Sequence, residues 1–216
     1  VEEKERASLV KLYHSSSEFL SLVTIPAGLT CIFFSRELLF IWTGSSVVAE
    51  QSWLVASLLV SGALMQSLTA VPFYVALAHG ELRLNLKVGL VSIILLVPLL
   101  FLLIPGYGLV GAGMSWFMMN VFIFIPYMYF IHSRFLPGEF PNWLFRSIVQ
   151  PLGCALPIII IGYVALPNVD SRLLGLINVG LIWFLATLAI GLVIQKFRRI
   201  VLNNIKYFIG VFLRVN

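Results

Sequence analysis

Polar residues divide this chain into six apolar stretches, over residues 19–41, 53–78, 86–104, 109–131, 148–166 and 173–195. A helix of about 20 apolar residues spans the hydrocarbon core of a bilayer, and each stretch is near that length. The stretches are continuously apolar and lack the alternation of barrel strands, so the pattern predicts helices. A polar, mixed-charge lead-in over 1–18 reads as an exposed or interfacial helix. A tail over 196–216 alternates basic residues with Ile200, Val201, Ile205, Phe208 and Phe212, the spacing of an amphipathic helix lying on a membrane surface. The fold class expected is an all-α membrane protein: a polytopic bundle of six transmembrane helices with an amphipathic C-terminal tail.

The turn between the third and fourth stretches carries Gly106, Gly108 and Gly111, which match the spacing of a dinucleotide-binding fingerprint. That fingerprint works after a strand, with an acidic residue about 20 positions on. Here it lies between two membrane-length segments, and no Asp or Glu occurs between Glu81 and Glu139. Gly106, Gly108, Gly111 and Gly113 instead read as a tight hairpin turn that lets two helices pack closely. Pro26, Pro72, Pro98, Pro126 and Pro157 put a proline inside each of the first five spans. The carbonyls such prolines free need partners inside a bilayer, which favours a kinked bundle whose helices pack or line a cavity.

Composition agrees with a lipid solvent. The chain has 216 residues, 60% hydrophobic and 11% charged, against about 25% charged in a soluble domain. Cys31 and Cys154 lie inside apolar runs and read as small buried hydrophobes. No Cys or His spacing suits a metal, and no cofactor is implied. The formal charge of +5 is explained by loop bias and does not call for nucleic acid. With six spans, only Arg36 and Arg172 of the fourteen Lys and Arg fall on one side. The crowded side is cytoplasmic by the positive-inside rule, which puts both termini in the cytoplasm. A chain opening Val1-Glu-Glu-Lys-Glu-Arg6 without an initiator Met is expected to be a piece of something longer.

Arg36 and Glu37 are the charges set furthest into an apolar run, five or six residues before Trp42. At ~1.5 Å per residue they lie roughly 8–9 Å below the outer interface. Intramembrane ions mark substrate or ion pathways, although an Arg at that depth also snorkels readily to headgroups. Gln66 and Asn120 are mid-span amides that interhelical hydrogen bonds explain adequately, and they stand beside Arg36 and Glu37 as pathway candidates. His14, His79 and His132 fall in loops or at span ends, where a histidine needs no special role.

The run Pro72-Phe-Tyr-Val-Ala-Leu-Ala-His-Gly80-Glu-Leu-Arg83, then Gly106-Tyr-Gly-Leu-Val-Gly-Ala-Gly113 one span later, resembles the polysaccharide and O-antigen flippases. These belong to the multidrug/oligosaccharidyl-lipid/polysaccharide exporter superfamily. Pro26 and Leu38-Leu-Phe-Ile-Trp-Thr-Gly44 are similar to that family's ninth span and its outer end. The resemblance implies the ninth to fourteenth spans of a fourteen-span, two-lobe exporter. The partners implied are a lipid-linked oligosaccharide, membrane lipids, and the missing amino-terminal lobe or a complementary half. It also implies translocation of undecaprenyl-pyrophosphate-linked oligosaccharide across the bacterial inner membrane by alternating access between lobes, and no enzymatic step. A cation-coupled drug antiporter of the same superfamily is the near alternative. An integral-membrane enzyme of polysaccharide assembly, a polymerase or glycosyltransferase, is the more distant one.

Overall fold

The computed structural model describes residues 2–165 and 171–194. The predicted tail over 196–216 and most of the turn after the fifth span lie outside the described residues. Every element described is helical: α1 Glu2–Phe33, α2 Ser35–Thr43, α3 Ser46–Leu68, α4 Ala70–Ala78, α5 Leu82–Phe135, α6 Phe140–Leu144, a π-helical turn Phe145–Val149, α7 Gln150–Ala165 and α8 Arg172–Val193. The chain is an all-α multi-pass membrane bundle. Its outward faces carry large apolar side chains, such as Phe101 at 78% exposure, as a surface facing lipid requires. Trp42 is exposed at the end of α2, where an interfacial anchor belongs.

α5 covers 54 residues, which as a straight rod would reach about 80 Å. It is not straight. Gly108 adopts φ 56° and ψ −133°, a backbone conformation that residues with a Cβ rarely take. There the chain reverses, and the two limbs lie side by side. The Tyr127 hydroxyl donates to Asn85 Oδ1 at 2.9 Å across 42 residues of sequence, and Arg134 pairs with Glu81. The limbs meet closely because Gly111 sits against the Leu103 backbone. Among the described residues five helices are long and apolar enough to cross a membrane, and the reversal at Gly108 divides this one into two limbs that are each of membrane-spanning length.

Local breaks have local causes. Pro72 cannot donate, and its ring crowds the carbonyl of the residue four before it, so α3 stops at Leu68 and α4 restarts at Ala70. Pro151 acts likewise on the carbonyl of Ser147. The preceding turn widens to a π turn in which the Gln150 N–H reaches the Phe145 oxygen five residues back. Between α1 and α2 the chain breaks at Phe34. The Ser57 hydroxyl of α3 lies 3.0 Å from the Ile32 carbonyl and 2.7 Å from the Ser35 hydroxyl, so polar atoms exposed by the break find partners inside the bundle.

α1 occupies the centre, touching α3 and α4 on one side and α7 and α8 on the other. One core gathers Leu22, Ile25 and Leu29 of α1 with Ile159 of α7 and Ile182, Ala186 and Ile190 of α8. A second core, nearer the amino terminus of α1, gathers Tyr13, Val75, Met128, Ile131, Leu136 and Trp143.

The connection between the fourth and fifth spans, residues 132–147, is not a loop: it is almost wholly helical, with only Leu136 to Glu139 between helices. Within it Trp143 is 1% exposed and packs on His132 and Phe140. The lead-in is helical from Glu2 and runs unbroken into the first span; residues 4–8, 11 and 12 are exposed, while Tyr13 and Ser17 are buried.

Groups expected on one side of the membrane do meet. His14 bonds Glu139 at 2.7 Å, Arg146 lies 4.0 Å from Glu18, and Arg134 pairs with Glu81. At the other end the Arg172 guanidinium sits on Gly44. Gly44 has φ 71° and caps the carboxyl end of α2, where a cation complements the helix dipole.

Candidate functional site

The residues singled out in the sequence separate into two places. Arg36 and Glu37 stand at the start of α2. The Arg36 guanidinium is about half exposed and pairs with Glu50 in the first turns of α3. Glu37 is partly buried, and its Oε2 has no hydrogen-bond partner among the described residues. Neither side chain lines the cavity described next.

Gln66 and Asn120 come together. They face a half-open, mostly apolar cavity of about 400 Å³ bordered by the end of α3, by α4 and by both limbs of α5. Its polar lining is Gln66, Thr69, Asn85, Ser92, Asn120 and Tyr127; Phe73, Trp116 and Phe124 provide aromatic walls. No lining residue carries a formal charge. The Asn120 Nδ2 donates to the Trp116 carbonyl at 2.9 Å, and Trp116 Nε1 donates to the Leu59 carbonyl at 3.2 Å. That second bond ties the second limb of α5 to α3. Asn85 accepts from Tyr127 through Oδ1, while its Nδ2 is buried and has no partner among the described residues.

The sequence places these side chains by helical spacing. Asn85, Gly89 and Ser92 recur at i, i+4 and i+7 on one face of the first limb. Trp116, Asn120, Ile123 and Tyr127 do the same on the second. The Thr69 break supplies the remaining edge: its hydroxyl donates to the Gln66 carbonyl at 2.7 Å. Gly62 brings α3 close to this wall, since a Cβ there would lie 2.5 Å from Trp116 Cδ1 and 3.0 Å from Asn120 Nδ2. Asn85, Ser92, Thr69 and Tyr127 were not singled out in the sequence. The i, i+4, i+7 polar stripe on the first limb was the available signal.

No protein-family model, no curated protein and no solved structure matches this chain.

Of the four turn glycines, Gly108 makes the reversal and Gly111 allows backbone contact. Gly113 lies against Leu58 and Val55 of α3, and Gly106 faces open space. Among the described residues no three His, Cys, Asp or Glu approach closely enough to hold a metal.

The histidines take structural parts. The His132 Nδ1–H donates to the Met128 carbonyl at 2.7 Å, which in the neutral ring leaves Nε2 to accept from the Tyr13 hydroxyl at 2.9 Å. Both residues are buried. Next to them, the hydrogen bond from His14 holds the Glu139 carboxyl below its ordinary value; partial burial opposes this, and a bond from Asn142 assists it. His79 donates to the Val75 carbonyl at the end of α4. The Tyr13–His132 and His14–Glu139 bonds lock the start of α1 to the corner between α5 and α6.

Proposed function

We propose that this chain is part of a flippase that carries a lipid-linked oligosaccharide across the bacterial inner membrane, with both of its termini in the cytoplasm. The observation that carries the reading is the uncharged, amide- and hydroxyl-lined cavity inside a lipid-facing bundle. Sugars present dense arrays of hydroxyl groups, each both donor and acceptor. Gln66, Asn85 and Asn120 offer both roles, Thr69, Ser92 and Tyr127 add hydroxyls, and Trp116 and Phe73 offer apolar walls for sugar ring faces. The volume falls within the ~300–1,000 Å³ typical of small-molecule sites.

A cavity with no cation does not suit a pyrophosphate. The role of this half is therefore the sugar, and the pyrophosphate falls to a complementary half. Alternating access then uses the breaks at Phe34, Thr69 and Gly108 as joints around a fixed site near the membrane centre. The antiporter and enzyme readings both call for a carboxylate at the site, and the cavity lining offers none.

Deleting the gene in the bacterium that carries it should abolish the surface polysaccharide and leave lipid-linked oligosaccharide on the inner leaflet. The double variant Gln66→Leu/Asn120→Leu should reproduce that accumulation at normal protein level. Unchanged surface polysaccharide in both strains refutes the proposal.

A further inference from the structure

A second cavity, of about 410 Å³, opens where α1, the π turn and the end of α8 meet. It is separate from the amide-lined one, and its character is different. Lys11, His14, Ser15, Glu18, Arg146 and Gln150 supply its polar lining, with Phe145, Val193 and Ile194 beside them. We infer that this pocket binds the headgroup of an anionic phospholipid, with the phosphate between Lys11 and Arg146.

Four observations carry the inference. Among the described residues Lys11 has no ion-pair partner, and Lys4 lies two helical turns before it on the same face. Glu18 approaches Arg146 only through Nη1, at 4.0 Å, which leaves most of the guanidinium's five donors for an anion. His14, also in the lining, binds Glu139 through Nε2 at 2.7 Å, so that carboxylate already has a partner. Finally, the same pocket is lined by the apolar side chains of Phe145, Val193 and Ile194, and Phe145 is exposed. A soluble phosphate would gain nothing from them, whereas acyl chains would lie against them. Basic pockets between membrane helices are suited to anionic headgroups, and π turns recur at functional sites. The sequence adds Lys196, Arg198 and Arg199 within five residues of Ile194. The inference does not depend on what the first cavity carries.

The test uses the full chain purified into nanodiscs of phosphatidylcholine with a minor fraction of phosphatidylglycerol, and measures co-retained lipid by mass spectrometry. The wild type should retain phosphatidylglycerol in preference to phosphatidylcholine. Lys11→Gln or Arg146→Gln should weaken that preference roughly fivefold each, and the pair about thirtyfold, as for cations near an anionic surface. Arg83→Gln/Lys87→Gln, which removes two cations elsewhere on the same side, should leave it unchanged. Arg146→Lys, which keeps the charge, should retain most of it and guards against a folding defect.

The inference is overturned if headgroup preference is absent or if the Arg83/Lys87 control loses as much as the pocket pair. Equal loss in Arg146→Lys and Arg146→Gln also overturns it. Displacement of the lipid by millimolar inorganic phosphate would assign the pocket to a soluble anion and overturn the lipid assignment.

Discussion

Replacing Gly111 with Ala tests the α5 hairpin at its tightest point. A Cβ at position 111 would lie 2.5 Å from the Leu103 carbonyl carbon and 2.9 Å from the Ile104 nitrogen. Comfortable separations between non-bonded heavy atoms are ~3.5–4.0 Å, so the limbs must part by about 1 Å. The obstacle is backbone, and no rotamer change relieves it. Overpacking of this kind costs about 1–3 kcal/mol. Gly→Ala in a helix returns at most about 1 kcal/mol through propensity, so the clash wins. Gly106→Ala is the matched control, because nothing lies within 4 Å of the Cβ it adds and its φ is not positive. Gly108→Ala has space but demands a strained backbone, costing about 1–3 kcal/mol. Thermal unfolding of the purified protein in detergent should rank Gly106→Ala at or above wild type and the other two several degrees below it. A Gly111→Ala protein as stable as Gly106→Ala would refute the close-packed hairpin, and with it the cavity between the limbs.

Three further outcomes follow from the same geometry. Glu139 has a folded-state pKa lowered chiefly by its bond from His14. Its stabilisation is therefore complete above the ordinary carboxylate value of ~4.3 and is lost as pH falls through the lowered folded value. Thermal stability between pH 6 and pH 3 should fall more steeply in wild type than in Glu139→Gln. Tyr13→Phe leaves the buried His132 Nε2 without its partner, and unfolding should show a loss of about 1–3 kcal/mol. Arg36→Gln removes an exposed ion pair with Glu50 and should change stability by no more than about 1 kcal/mol in the same assay.

The span pattern was legible because lipid forces it. A backbone crossing a bilayer must be helical or a closed barrel, so continuous apolar runs leave little choice of fold. The glycine hairpin was legible for a related reason: only a very tight turn fits between Ile104 and Leu109. Polarity did not reveal how the end of the lead-in joins the bundle: Tyr13 and His132 bury each other across 119 residues of sequence, a pairing that no local pattern shows.

At the candidate site, Gln66 and Asn120 stood out as amides in apolar runs. Asn85 did not, because it sits where a polar loop was expected and gains its place only when Tyr127 folds back to it. Arg36 stood out for its charge, but its partner Glu50 lies across the break between α2 and α3, beyond the reach of helical spacing.

Photocrosslinking in native membranes tests most directly the proposal that the amide-lined cavity holds the sugar of a lipid-linked oligosaccharide, because the chain stays with any complementary half. A photoreactive residue at Ser92 or Gln66 in the cavity should yield an adduct containing the oligosaccharide. The same residue at Phe101, on the exposed outer face, should yield only phospholipid. Oligosaccharide adducts absent from both cavity positions, or equally abundant at Phe101, would contradict the account.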